Sequence, residues 1–446
     1  MMLNVSTIED AMERLEQAIR LNGTDYLDLV KTLRSFHADT VGQAAACVDL
    51  PKPVAETELI NISTAAGRIL AESVISEHDV PGFDRSTVDG YAVRAADTFG
   101  ASESLPAMLR LDGSIKMGRS AGIMLASGCC REIATGGAVP EGADAVIMIE
   151  DTEPADPEDE LRYLLKPVSP GQNIIFRGDD ITAGSCLLAA GITLMPHHIG
   201  ALAALGKTSV SVLRKLKIAL ISTGDELVKP GDNLTDGQIY DVNASMLTAM
   251  LKRAGTEINS FGIVSDELAD LTSAISSASE DHDLVIISGG SSAGDRDHAA
   301  AAIAKHGQPG VIQHGLAVKP GKPTLIGLSD RLPIIGLPGH PVAAWFMADQ
   351  IVLPLINLLC GRKPPVRRSI DAILTRAIPA NHGRQGFSAV MLQEDQRSQM
   401  PSAVPIASKS GLITTLRATD GYIMIDRNQE GLNSGSKVQV YLWEEQ

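Results

Sequence analysis

Apolar side chains recur at Ile8, Met12, Leu15 and Ile19, the three-to-four spacing of one face of an amphipathic helix. Ser6 stands three positions before Glu9, the spacing of a capping box, so the chain is expected to open on a capped helix. Leu27, Val30 and Leu33 repeat the stripe between Thr24 and Phe36, ahead of an Ala-rich, Pro-bounded stretch that reaches Pro53. The segment from Glu58 to Leu70, which closes on Ala-Ala-Gly-Arg-Ile-Leu, reads as a further helix, and Asp79-Val-Pro-Gly-Phe-Asp84 as an irregular loop.

The texture then shortens. Apolar runs at Val88 to Val93, Ala107 to Leu111, Ala145 to Ile149 and Tyr163 to Leu165 alternate with Gly, Pro and Asp turns, the pattern of a small β domain. Asp151 to Glu160 gathers Pro, Asp and Glu, as a solvated hairpin tip does. Beyond Lys215 strands and helices alternate. Leu216 to Ser222, Ile258 to Val264, Leu284 to Ser288 and Leu332 to Leu337 read as strands, Ala244 to Ala254 and Leu268 to Ser279 as helices, with another helix starting at Pro341. That alternation predicts an open, mostly parallel α/β sheet over residues 216–360. Arg362-Lys-Pro-Pro365 is a linker, and runs such as Gly421-Tyr-Ile-Met-Ile425 and Lys437-Val-Gln-Val-Tyr441 predict a C-terminal β barrel or sandwich.

The 446 residues, of which 44% are hydrophobic with 41 glycines besides, suit several folded domains rather than a disordered chain. The net charge of −16 opposes adhesion to nucleic acid or anionic lipid. The longest apolar run, Val352 to Cys360, is nine residues with a Pro and an Asn inside it, against the roughly twenty of a membrane span. Glu9, Asp10, Glu13 and Glu16 stand where a secretory signal has basic and apolar residues. Five cysteines form no CxxC pair, which favours a reducing compartment. The expectation is a cytoplasmic protein with no membrane segment and no nucleic-acid partner.

Ligands of open α/β sheets bind outside the carboxyl ends of the strands, where loops lead into helix N-termini. Three loops of residues 216–360 fit. Ser222-Thr223-Gly224-Asp225-Glu226-Leu227 brings hydroxyls, a Gly and two carboxylates just past a strand. Ser288-Gly289-Gly290-Ser-Ser-Ala-Gly294 lets backbone N–H groups turn toward phosphate oxygens. Leu337-Pro338-Gly339-His340-Pro341 puts a Pro where a helix begins. One Gly-rich turn is weak evidence; three along one sheet edge are stronger. Lys319-Pro-Gly-Lys322-Pro323 holds two ammonium groups on a stiff loop, which suits a phosphorylated ligand. If Asp225, Glu226, Asp241, Asp266, Asp295 and Asp297 converge, two lysines do not balance them, and hard oxygen donors favour Mg²⁺. The competing reading makes at least half of these carboxylates helix caps or solvated loop groups. Ten histidines without HExxH spacing or a cysteine partner give no zinc site.

These motifs are carried by Pro81-Gly-Phe-Asp-Arg-Ser-Thr-Val-Asp-Gly-Tyr-Ala92, Ala134-Thr-Gly-Gly-Ala-Val-Pro140, Gly171-Gln-Asn-Ile174, Arg177-Gly-Asp-Asp-Ile181, Ser222-Thr-Gly-Asp-Glu-Leu227, Gly237-Gln-Ile-Tyr-Asp-Val-Asn243, Ser288-Gly-Gly, Lys319-Pro-Gly-Lys-Pro323 and Leu337-Pro-Gly. In that order the chain resembles the molybdopterin molybdenumtransferases, the MoeA and gephyrin E-domain family. The resemblance implies an elongated homodimer with four domains. These are a helical, discontinuous one at 1–80 and 168–215, an inserted small β domain at 81–167, a molybdopterin-binding α/β domain at 216–360, and a C-terminal β domain at 361–446. It implies insertion of molybdate into adenylylated molybdopterin with Mg²⁺ present and AMP released, in a cleft shared by two subunits. By carry-over Asp89, Asp180, Glu226 and Asp297 are catalytic. Thr135, Ser222, Thr223, Gly224, Asp266, Gly289, Gly290, Lys319, Lys322, Pro338, His340 and Pro341 bind substrate, and Glu226, Asp266 and Asp297 hold the metal. Implied protein partners are the molybdopterin adenylyltransferase and apo-molybdoenzymes.

Several positions depart from the family's usual pattern. It has Asn at Arg85, Met at Val88, Val at Ser291 and Ala293, Tyr at His298 and Asn at His340. Arg85 adds a cation near the implied cleft, and His340 puts a titratable donor in the loop implied to face molybdate. These changes leave open a non-catalytic molybdopterin or cofactor carrier and a tungsten-inserting paralogue. Residues 22–52 are a longer entry than the family's usual one, suited to docking a partner or to plain surface.

Overall fold

The computed structural model describes residues 6–21, 56–155, 160–289, 298–362, 366–379, 383–394, 400–406 and 411–443. The opening helix is α1 (Ile8–Leu21). Its cap lies one residue later than the Ser6–Glu9 pair suggests: the Asp10 N–H donates to Thr7 Oγ1 at 3.0 Å, while Ser6 forms a parallel bridge with Leu316. Ile8, Ala11 and Leu15 are buried in the apolar cluster of the α/β sheet, and Arg14 donates to Gln313 Oε1 at 2.9 Å. The second stripe, Thr24 to Phe36, lies outside the described residues with the rest of 22–55.

The helix expected over 58–70 does not form. Thr57–Asn61 is strand β1, antiparallel to β2 (Ser209–Leu213), with Thr57 opposite Leu213. A single 3₁₀ turn follows at Ile62–Thr64. Asn61 accepts from the Ser63 N–H at 2.9 Å and Thr64 Oγ1 donates to the Asn61 carbonyl at 3.0 Å, local bonds that compete with a helix. Gly67 at φ +79° turns the chain. Helix α2 (Pro196–Ala204) buries Leu202 against Leu70, Leu188, Leu194, Val210 and Val212, giving this region its own small core.

The small β domain is a six-stranded sheet in the order Ala145–Met148, Gly90–Val93, Cys129–Ile133, Ala107–Ser114, Leu161–Leu164, Thr152–Pro154. The strand at Cys129–Ile133 escapes the hydrophobic pattern because Arg131 and Glu132 interrupt it, yet Arg131 is buried with its guanidinium on Asp112. The four described cysteines are free thiols.

The α/β domain alternates β3 (Lys217–Thr223), α3 (Val242–Arg253), β4 (Glu257–Val264), α4 (Leu268–Ser279), β5 (Leu284–Ser288), α5 (His298–His306), β6 (Pro309–His314), β7 (Val318–Lys319), β8 (Leu325–Ser329), β9 (Leu332–Leu337) and α6 (Pro341–Met347). Sheet order is β4-β3-β5-β9-β8-β6, with the first four strands parallel, β8 antiparallel to β9, and β6 antiparallel in turn to β8. Ile218 and Leu220 of β3 pack with one cluster and Ala219 and Ile221 with the other, so the strand is an unbroken apolar run covered on both faces. After β3 the chain goes first to β4 on one side and then to β5 on the other, which makes the gap beyond β3 and β5 the topological switch point.

A π turn at Ala348–Val352 joins α6 to α7 (Leu353–Leu359), just ahead of Pro354, which lacks an N–H for the helical ladder. Residues Pro341–Leu359 are long and apolar enough to cross a membrane, but 67% of the span is buried inside the protein, where it forms core. The C-terminal strands β10 (Ser369–Leu374), β11 (Gln385–Gln393), β12 (Ser402–Pro405), β13 (Gly421–Ile425) and β14 (Lys437–Leu442) close as a barrel through the β11–β13 pairing.

Candidate active site

At the switch point Ser222 lies opposite Ser288 on adjacent parallel strands, and Ser222, Thr223 and Ser288 are each 2% exposed. Gly289 follows at φ +103°, and a Cβ there would sit 2.0 Å from the Thr223 carbonyl oxygen. Only glycine lets the first two loops touch. The third loop rests on the second, Gly339 lying against the Gly289 Cα. Asn243, the second residue of α3, ties them: its Nδ2 donates to Ser288 Oγ at 3.0 Å and to the Gly339 carbonyl at 2.9 Å.

The carboxylates divide as the competing readings allow. Asp241 is buried and caps α3 by accepting from the Ala244 N–H at 2.9 Å, so it is a cap and not a ligand group. Asp266, past β4, lies 3.5 Å from Thr223 Oγ1, and its N–H stands 3.5 Å from Asp225 Oδ1. The Glu226 carboxylate folds back over Gly224. Gly290, Ser291, Ala293, Asp295 and Asp297 lie outside the described residues. Among the described residues no three His, Cys, Asp or Glu side chains gather as a metal cage, so the trio of Glu226, Asp266 and Asp297 is represented by its first two members.

The lysine loop is fastened at both ends. Val318 and Lys319 pair with Gln385 and Gly386 of β11, which brings the barrel, with Arg384 one residue earlier, alongside the exposed Lys319. Gly321, at φ +116°, packs on Met347 of α6, where a Cβ would come within 2.5 Å of the sulfur. That helix starts at Pro341 behind its N-cap residue His340, with Pro338 buried and Gly411 of the barrel domain beside the His340 ring. Lys319, Lys322, Pro338, His340 and Pro341 therefore share one framework.

Asp89, Thr135 and Asp180 belong to a second assembly. Asp89 Oδ1 accepts from the Thr135 N–H at 2.6 Å and from Thr135 Oγ1 at 2.9 Å. The Thr135 backbone N–H, then its hydroxyl, hold the Asp89 carboxyl below the usual carboxylate range. Gly136 and Ser86 exchange backbone bonds with each other's loop, Thr87 N–H donates to Asn173 O at 3.0 Å, and Asp180 N–H to Val80 O at 3.0 Å. Asp79 accepts from the Ala183 N–H at 2.9 Å and from Arg177 Nε at 2.7 Å, bonds that lower its pKa in that order. Four motif blocks from three stretches of the sequence thus form one exposed ridge.

Sequence reasoning missed Asn243, Asp79 and Gly411 as organisers of these two assemblies, and saw Gly321 only as part of the stiff lysine loop. Asn243 and Asp79 stand inside or beside quoted motif blocks, the one signal available. A cavity of about 710 Å³ lies elsewhere, between α1 and the barrel, and none of the site residues named from the sequence lines it.

Residues 7–206 match the family described as MoeA N-terminal region (domain I and II), residues 219–358 that described as probable molybdopterin binding domain, and residues 371–443 that described as MoeA C-terminal region (domain IV). A molybdopterin molybdenumtransferase of Haemophilus influenzae is 34% identical over 395 residues, covering 88% of this chain and 95% of the relative. Another, from Bacillus subtilis, is 33% identical over 392 residues, covering 88% and 91%. The crystal structure of the molybdopterin biosynthesis MoeA protein from Pyrococcus horikoshii superposes with a TM-score of 0.77 at 37% identity, covering 89% of this chain and 96% of that one. Identity of 33–34% over 88% of this chain and more than 90% of each relative, with the three family descriptions matched in succession along it, establishes that the chain belongs to the molybdopterin molybdenumtransferase family of molybdenum cofactor biosynthesis.

Proposed function

We propose that the chain inserts molybdate into adenylylated molybdopterin and releases AMP. The observation that carries the reading is the joining of three loops at the carboxyl edge of β3, β5 and β9, beside a lysine loop packed on the helix that starts after His340. In this reading backbone N–H groups near Gly289 and the ammonium groups of Lys319 and Lys322 bind the phosphates. The Pro338–Pro341 loop, with a donor nitrogen of His340, holds the oxyanion. The P–O bond joining the two phosphates breaks, an oxygen of water or molybdate takes its place on phosphorus, and the lysines offset the charge that grows on departing AMP.

The oxygen donors at this edge are of the kind Mg²⁺ takes: the Asp266 N–H stands 3.5 Å from Asp225 Oδ1, which puts the two residues side by side, and Glu226 folds over Gly224; this ion needs only one or two carboxylates besides waters and substrate phosphates. Glu226, Asp266 and Asp297 would hold it, and it supplies neutralisation of the pyrophosphate charge. Asp89, Thr135 and Asp180 face the same substrate from the second subunit of a homodimer, which gives the exposed ridge its partner. The reaction runs in the cytoplasm, between the adenylyltransferase that supplies the substrate and the apo-molybdoenzymes that take the product.

The test is AMP release by the purified protein given adenylylated molybdopterin, molybdate and Mg²⁺. Release is the expected result. Tight binding without release overturns it in favour of the carrier that Arg85, His298 and His340 leave open, and faster release with tungstate reassigns the oxyanion. Light scattering at the mass of a single chain overturns the shared cleft.

A further inference from the structure

We propose that a half-buried cluster of Arg367, Asp349 and Gln350 around the buried Tyr422 positions the two ligand loops, Lys319–Thr324 and Pro338–Pro341, by fixing the C-terminal barrel against the helix that begins at Pro341. The kinetic consequence rests on the reaction proposed above; the positioning itself does not.

Helix α6 runs from the ligand loop straight into the barrel interface. At 1.5 Å per residue, Asp349 lies about 12 Å along the axis from Pro341. There the π turn widens the coil and presents Asp349 and Gln350 to the barrel, the kind of local irregularity that recurs at working positions in helices. Arg367, from the segment just after the linker, grips the turn. One guanidinium nitrogen donates to the Asp349 carboxylate and, at 2.5 Å, to the Tyr422 hydroxyl; the other donates to the Asp349 carbonyl at 2.7 Å. Gln350 Nε2 donates to the Tyr422 hydroxyl at 2.8 Å and to the Asp349 carboxylate at 2.7 Å. Burial pushes the Tyr422 hydroxyl up to about 12, so it stays neutral at this junction.

The surroundings are aromatic. Phe346 stacks on Phe387 with centroids 5.4 Å apart and meets Tyr422 edge-on at 5.5 Å, and Trp345 meets Trp443 edge-to-face at 5.7 Å. Aromatic faces supply attraction but tolerate sliding, because offset and tilted geometries are close in energy. A planar guanidinium fork does not slide: its bonds have fixed directions, and a half-buried ion pair contributes geometry more than net stability. The register so fixed reaches both ligand loops. Barrel strand β11 pairs with Val318 and Lys319, and Gly411 lies against the His340 ring. A shift of the barrel relative to α6 therefore moves Lys319 and the surroundings of His340 together. Arg367, Asp349, Gln350 and Tyr422 are positioning residues; none of them touches the proposed substrate.

The experiment is hydrogen exchange on the full-length, ligand-free protein, comparing wild type with Tyr422→Phe, which keeps the ring packing, and Asp349→Asn, which keeps the shape. The expected result is exchange faster by on the order of tenfold in peptides covering 318–324 and 339–345, with peptides of β3 and β5 unchanged. In the AMP-release assay the KM for molybdate rises on the order of tenfold while kcat changes less than about twofold. Arg367→Lys, which keeps the charge and loses the fork, is expected to show the same faster loop exchange and the same rise in KM. Should Asp349→Asn not fold, Tyr422→Phe decides alone. Unchanged exchange in both loops, or exchange raised uniformly through the chain, overturns the proposal by making the cluster mere domain adhesive. A wild type that releases no AMP overturns the proposed reaction instead, and the exchange arm still judges the cluster.

Discussion

At the carboxyl edge of the parallel sheet the residues that shape the site are buried, with Ser222, Thr223 and Ser288 almost wholly covered and the loops meeting backbone to backbone. On the ridge around Asp89 the residues Asp89 and Asp180 are exposed, and the loops are joined by hydrogen bonds that the carboxylates of Asp79, Asp84 and Asp89 accept from the N–H groups of Ala183, Arg177 and Thr135. The first assembly is shaped by exclusion: a missing Cβ decides whether two loops can touch. The second is shaped by satisfaction, since each carboxylate settles where donors converge. A steric site is therefore expected to fail abruptly on substitution and a hydrogen-bonded ridge to fail by degrees.

The sharpest test of that contrast is Gly289→Ala against Gly184→Ala. Both glycines have positive φ, +103° and +82°, but a Cβ at Gly184 meets nothing within 4 Å. Gly289→Ala is expected to destabilise the α/β domain by about 3 kcal/mol or more and Gly184→Ala by only about 1 kcal/mol, read from chemical unfolding. Equal losses would erase the distinction between the two assemblies. Next in size, Asn243→Ala leaves Ser288 Oγ and the Gly339 carbonyl without their donor, for a loss of about 1–3 kcal/mol. A neutral result would mean that the loops hold together without it.

On the ridge, Asp89→Asn is expected to lower AMP release on the order of tenfold or more while the unfolding midpoint stays put, because an exposed carboxylate carries little packing. Full activity would detach the ridge from the reaction. The smallest effect is a titration. Both Thr135 bonds favour ionised Asp89, so its folded pKa lies below the unfolded one. Their stabilising contribution is present above the ordinary carboxylate pKa and fades as pH falls through the lowered value. Thr135→Val removes the hydroxyl bond and keeps the N–H, so the Asp89 midpoint, followed by carboxyl NMR, is expected to move partway upward. An unmoved midpoint contradicts the hydroxyl's role.

Legibility in the sequence followed the range of the forces involved. The strands at 217–223, 257–264, 284–288 and 332–337 were plain because each is an apolar run whose length and flanking turns are local properties. The segment 57–61 was misread because its structure depends on Ser209–Leu213, about 150 residues later, and nothing nearby announces that partner. Motif blocks supplied the loops that the fold brings together at the sheet edge, since glycines and lysines in stiff loops stand out in composition alone. They did not say that Asp241 caps a helix while Asp266 approaches Asp225; identical carboxylates are told apart only by the donors around them.

The amino-acid order alone determined the alternation of strands and helices from 216 to 360, the Gly-rich turns at its strand ends and the lysine loop beside them, because apolar periodicity and backbone freedom act over a few residues. The tertiary structure alone decided that α1 docks on the α/β sheet, that Asn243 reaches Gly339 across 96 positions, that Gly321 seats on Met347, and that Arg367 grips Asp349 and Tyr422 across the barrel interface. Each of these is a short-range contact between groups far apart along the chain. Such contacts exist only once the fold has closed the loops between them, and the entropy of that closure is met by the core as a whole rather than by the residues that touch.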